Sequence, residues 1–113
     1  MNWLNLELAK GKKAFRPGDL VRGQANWDLK QDVDWIEFRL LWYTEGKGTR
    51  DFAVIDQGRI EHPARSGSCE FEFRMPDSPY SYHGTHLSIF WALELLADRH
   101  RDAARVILDL SPD

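Results

Sequence analysis

Apolar and polar residues alternate with a period of two along most of this chain. In WLNLEL, Leu4, Leu6 and Leu8 fall on one face and Asn5 and Glu7 on the other. LVRGQANW sets Val21, Gly23, Ala25 and Trp27 against Arg22, Gln24 and Asn26. WIEFRLLWY places Ile36, Phe38, Leu40 and Trp42 together, and DFAVID is a shorter candidate with Phe52 and Val54 on one face. CEFEFRM aligns Cys69, Phe71, Phe73 and Met75, and THLSIFWALEL aligns Leu87, Ile89, Trp91, Leu93 and Leu95. ARVILDL does the same with Val106, Leu108 and Leu110. Successive side chains of a strand point to opposite faces, so each stripe predicts a strand resting one face on a shared core.

Turn residues separate these stripes: Pro17-Gly18-Asp19, Gly46-Lys47-Gly48, Gly58, Pro63, Ser66-Gly67, Pro76 and Gly84. LELLADRHRDAAR has the Leu and Ala content of a helix, but Trp91–Leu95 keeps the period of two. It therefore reads as the end of a strand, with RHRDA as a hairpin turn. There is no linker, repeat or low-complexity stretch. Seven short strands in one domain spanning residues 1–113 predict an all-β fold, an antiparallel seven-stranded immunoglobulin-like sandwich.

In such a sandwich the third, sixth and seventh strands are neighbours in one sheet. Their outward positions include Glu37, Arg39, Glu94 and Arg105, expected to be solvated. Leu41, Tyr43, Phe90, Ala92 and Ile107 fall on the same outward stripe. A contiguous apolar patch marks an interaction surface, so these five residues are the expected protein interface. Its occupant would be another protein, most simply a second copy of the chain in a two-fold homodimer. The competing reading is that long neighbours such as Arg39 and Arg105 shield Phe90 and Ile107 with their stems.

Three stretches carry a family resemblance. FRPGDLVRGQANW resembles the start of an arrestin-like domain, in which a Pro-Gly-acid turn feeds a strand with Gly two residues after Val; the matching positions are Pro17, Gly18, Asp19, Val21 and Gly23. FEFRMPDSPYSYHGTHLSIFWALEL resembles a second signature of that group, carried by Phe71, Phe73, Pro76, Ser81, Tyr82, Gly84, Ile89 and Trp91. WYTEGKGTRD is similar to a hairpin of bacterial relatives. The resemblance covers nearly the whole chain but a single lobe, as in a bacterial-type relative of the sporulation-control proteins. It implies adaptor or regulatory binding rather than catalysis. The receptor, phosphate and coat-protein contacts of two-lobed arrestins do not carry over.

The residues of 76–84 support a structural corner between sheets. Pro76 lacks an N–H and ends the ladder, Pro79 stiffens the crossover, and Gly84 is expected to take a backbone angle that a Cβ forbids. Tyr80 and Tyr82 would cover the end of the core.

Composition narrows the function classes. The 113 residues carry a net charge of −3, and the basic residues form no run, so no strong field favours nucleic acid or an anionic membrane. No apolar run approaches a membrane span, and the N-terminus lacks the charge and apolar core of a signal peptide. One cysteine permits no internal disulfide, and a cytoplasmic location is the expectation.

The candidate chemistry is sparse. His83 and His86 are the one close His pair; zinc would need further ligands, and only Cys69 and His62 offer themselves. Alternation places Cys69 in the core, so no metal or cofactor is expected. Asp28, Asp32 and Asp34 read as turn acids rather than a calcium loop. Ser81 and His83 lack a Gly-x-Ser-x-Gly elbow, and GKGTR has the spacing of a hairpin, not of a phosphate loop. The alternatives to an interaction module are a carbohydrate-binding sandwich using Trp3 and Trp35 as platforms, or a metal-assisted hydrolase using His83 and His86.

Overall fold

A computed structural model describes residues 2–48, 50–98 and 103–112. The Pro17-Gly18 turn starts the sandwich. Asp19 N–H closes on the Arg16 carbonyl at 3.1 Å, and the Asp19 carboxylate accepts the Arg16 N–H at 2.9 Å. Gly18 sits at φ 84, where a residue with a Cβ is disfavoured. The same turn holds the far end of the fold: Gly18 N–H donates to the Met75 carbonyl at 2.9 Å, and Met75 N–H to the Asp19 carbonyl at 2.8 Å.

Among the described residues nine strands result: β1 (Trp3–Leu8), β2 (Ala14–Phe15), β3 (Leu20–Asp28), β4 (Trp35–Gly46), β5 (Phe52–Glu61), β6 (Ser66–Arg74), β7 (Tyr82–His83), β8 (Leu87–Ala97) and β9 (Ala103–Leu110). A single-turn 3-10 helix spans Ala9–Gly11. The smaller sheet has the order β1-β3-β6, and the larger runs β2-β9-β8-β4-β5, with β7 added to β8. The seven expected strands are all present, and two short ones, β2 and β7, join them. The third, sixth and seventh expected strands are neighbours as anticipated, in the order β4-β8-β9. Among the described residues no helix is long and apolar enough to cross a membrane. Of the turn expected over RHRDA, residues 99–102 lie outside the described residues and Ala103 opens β9.

The core lies between the sheets where the stripes meet. Val21, Ala25, Trp27, Phe71 and Phe73 from the small sheet face Ile36, Phe38, Leu40, Trp91, Leu93, Leu95 and Leu108 from the large one. Trp91 is fully buried and donates its Nε1–H to the Pro79 carbonyl at 2.7 Å. Leu29 and Val33, in the β3–β4 connection, are also buried and join this core.

Several expectations are corrected. Among the described residues there are nine strands rather than seven, and β2 pairs with β9 in parallel rather than antiparallel. Ser66-Gly67 is not a turn but opens β6 opposite Asp28 and Trp27, and Tyr80 and Tyr82 are exposed rather than covering the end of the core. Gly58 is not a turn but lies within β5 opposite Phe38. The β4–β5 register shifts between Leu40 and Leu41, so Phe52 pairs with Tyr43 and Val54 with Leu41 on the outer face instead of the core. Cys69 is half-buried at the core margin, on edge strand β6, with Sγ donating to the Glu70 carbonyl.

Candidate interaction face

The 76–84 corner arranges the edge of the large sheet. β7 pairs with the start of β8, through Tyr82 opposite Ile89 and His83 opposite Ser88. β9 pairs with β8 only from Trp91 onward, and its last residues turn to β2 instead, with Ala14 opposite Asp109 and Phe15 opposite Leu110. Ser81 bridges this split: its N–H donates to the Leu110 carbonyl at 2.8 Å, and its Oγ accepts the Leu110 N–H at 2.9 Å. The Ser78–Pro79 peptide is cis. Gly84 is required by close approach rather than by a special backbone angle: a Cβ there would lie 2.4 Å from the Tyr82 ring and 2.8 Å from the Leu87 carbonyl oxygen.

Across the outer face of the large sheet, the register sorts side chains into rows. Phe52, Tyr43 and Phe90 stand side by side on β5, β4 and β8. The Tyr43 and Phe90 rings stack at 5.4 Å, and His83 on β7 tilts against Phe90 at 5.3 Å. Beside this aromatic row runs an aliphatic one of Val54, Leu41, Ala92 and Ile107. The next row is charged, with Arg39, Glu94 and Arg105 abreast, and beyond it Glu37 is opposite Arg59.

The five residues expected at an interface are therefore on one face, but they do not share one exposure. Leu41 and Ala92 have no accessible surface, Tyr43 and Phe90 are half-buried, and Ile107 is exposed. Arg105 links the rows on this face. Its guanidinium binds Glu94 in the charged row and reaches back over the aliphatic row to the Tyr43 ring, 4.9 Å from the centroid. The hydrogen bond to Glu94 raises the Arg105 pKa above its ordinary value. The shielding expected for Phe90 and Ile107 is therefore incomplete, since Phe90 is half-buried and Ile107 is 42% exposed, and Phe52, which sequence alternation alone had not placed here, is 57% exposed at the end of the aromatic row.

Glu37 and Glu94, expected to be solvated, are buried. Glu37 accepts from Arg39 Nε and from Arg59 Nη2 at 3.0 Å, and Arg59 lies over the Trp35 ring at 4.2 Å. A buried carboxylate is tolerated when paired and hydrogen-bonded in this way.

The opposite outer face, on the small sheet, is polar: Asn5, Glu7, Arg22, Gln24, Asn26, Ser68, Glu70 and Glu72 share it, with Trp3 and Leu20 at its ends. An open hollow of about 500 Å³ over Gly23 and Phe71 is rimmed by Glu7, Arg22, Gln24, Glu70 and Glu72, and Arg22 and Glu72 pair across it at 2.7 Å. A smaller depression of about 220 Å³ opens at the end of the aromatic row, between His83, Phe90, Ile107 and Ser81.

The other candidates are dispersed. His83 packs on Phe90, His62 ends the β5 hairpin at φ 48, and Cys69 is on the other sheet. No group of three His, Cys, Asp or Glu side chains converges among the described residues. Trp3 is exposed on the small sheet and Trp35 lies on the large one under Arg59, so they form no common platform. Asp28 and Asp32 accept from Ser66 Oγ and Arg65 Nε, tying the β3–β4 connection to the start of β6.

The class these features define is a two-sheet β-sandwich with one polar and one aromatic outer face. Spo0M, a sporulation control protein from Bacillus subtilis, superposes with a TM-score of 0.67 over 97% of this chain at 19% identity. The chain spans about half of that protein, 49% of its length. A β-glucosidase from Listeria innocua in complex with gluconolactone matches with a TM-score of 0.53 at 8% identity, over 98% of this chain but 16% of the enzyme. No family model and no curated protein sequence matches.

Proposed function

We propose that this chain is a non-catalytic protein-interaction module of adaptor or regulatory type, acting in the cytoplasm and docking through the outer face of its large sheet. The observation that carries the reading is the difference between the two outer faces. A solvated sheet face alternates polar residues with the core stripe, as the small sheet does. The large sheet instead presents Phe52, Tyr43, Phe90 and Ile107 contiguously, and a contiguous apolar patch of this kind fits a partner. The likeness to a sporulation control protein supports a regulatory role, and the β-glucosidase likeness covers only a small part of that enzyme. The partner is another protein or a second copy of this chain.

Affinity capture from source-cell lysate tests the reading. Proteins retained by the wild type should be lost with Phe90→Glu and kept with Arg22→Glu on the small sheet. Retention of every captured protein by Phe90→Glu would remove the face as the binding site.

A further inference from the structure

The charged rows beside the aromatic row are layered by sign. The carboxylates lie beneath, with side chains 3% exposed for Glu37 and 10% for Glu94. The guanidinium groups lie above, with side chains 29% exposed for Arg39 and 44% for both Arg59 and Arg105. Three arginines thus stand over two glutamates, and the accessible part of this band is cationic in a chain whose net charge is −3. Each guanidinium has more N–H donors than its buried glutamate can fill, and a fork geometry suited to carboxylates. Glu37 and Glu94 hold the three groups in place, so a ligand would meet donors already ordered.

From this layering we propose that the occupant of the face is an acidic protein segment carrying aromatic or aliphatic side chains. This rests on the reading of the face as a docking surface. Carboxylates of the segment engage Arg59, Arg39 and Arg105, and its apolar side chains lie along Phe52, Tyr43 and Phe90. Complementary charge of this kind selects a partner and speeds its encounter. A second copy of the chain fits less well, because within this band its own carboxylates are buried beneath arginines and it brings no accessible acidic run to the contact. A single-stranded nucleic acid also favours arginine and aromatic groups. The face, however, is bounded by Glu45 beyond the aromatic row and by Glu61 opposite Trp35 beyond the charged rows, which suits a short run of carboxylates better than a continuous polyanion.

The test is selection of a phage-displayed library of random linear peptides on the wild-type protein. The selected peptides are then measured against Phe52→Ser and Arg59→Gln. Both altered side chains are well exposed, and Glu37 keeps Arg39 in the second variant. The selected pool should be rich in Asp and Glu with Phe, Trp or Leu. Its binding should weaken with added salt and by about tenfold in Arg59→Gln. A neutral or basic pool, or an empty one, overturns the proposal. Stronger binding of an oligouridylate probe that also depends on Arg59 overturns it in favour of nucleic acid. Dimerisation in sedimentation runs, abolished by Phe52→Ser, overturns it in favour of a second copy. A neutral pool that still requires Phe52 would leave the docking face standing and remove only the acidic partner; a pool indifferent to Phe52→Ser would remove both.

Discussion

Trp91 shows how one side chain connects the corner to the core. It is fully buried in β8, and its indole N–H is satisfied by the Pro79 carbonyl of the 76–84 segment. Trp91→Ala should cost about 3–5 kcal/mol in denaturant melts, as aromatic truncations in cores do; a loss under about 1 kcal/mol would contradict its central packing. Gly23 matters for space: a Cβ there would lie 2.3 Å from the Glu7 carbonyl oxygen and 2.7 Å from the Phe71 ring. Backbone cannot move aside cheaply, so Gly23→Ala should destabilise by about 1–3 kcal/mol, and an unchanged melting midpoint would refute the steric account. Asp19 carries a pH dependence. Its hydrogen bond from the Arg16 N–H holds the carboxyl pKa below the ordinary 3.8. That stabilisation is present above the ordinary value and fades as pH falls through the lower folded value. Asp19→Asn should therefore remove this part of the acid limb of the stability curve; superimposable limbs would contradict it. These residues were legible in the sequence as positions, Trp91 by alternation and Pro17-Gly18-Asp19 by turn chemistry. The close approach that demands Gly23 was not, because it depends on Phe71 and Glu7 arriving from two other strands.

Among the elements, the long strands were readable because one face of each is buried, which imposes the period of two. β2 and β7, of two residues each, are too short to show any period. They exist because β9 leaves β8 near Trp91 and the freed edge is filled from two directions. Ser81 holds that junction through both its N–H and its hydroxyl. Ser81→Ala should cost about 1 kcal/mol, the usual net value of a lost hydrogen bond. It should also speed amide exchange at Leu110, and unaltered exchange there would mean that the hydroxyl holds nothing. The β4–β5 bulge explains the misplaced stripe of β5. A register shift moves side chains to the other face, and nothing in DFAVID announces where the extra residue falls. The same shift delivers Phe52 to the aromatic row, so the element least well read is the one that extends the candidate face.

For the whole molecule, the sequence showed apolar residues on an outward stripe but not which of them stay accessible. Accessibility there is set between strands, as where Arg105 crosses from Glu94 to Tyr43 and joins three of them. The burial of Glu37 and Glu94 beneath arginines was likewise hidden, since isolated charges on a strand read as solvated. What remains is a molecule with one polar face and one face of rings bordered by arginine, and the central claim is that the second face meets a partner. Hydroxyl-radical footprinting of the protein alone and bound to a captured partner reads this directly, because the radical reports aromatic side-chain access. Phe52, Tyr43 and Phe90 should become protected in the complex while Trp3, exposed on the small sheet, keeps its reactivity. Protection of Trp3 with unchanged labelling of Phe52 and Phe90 would contradict the account.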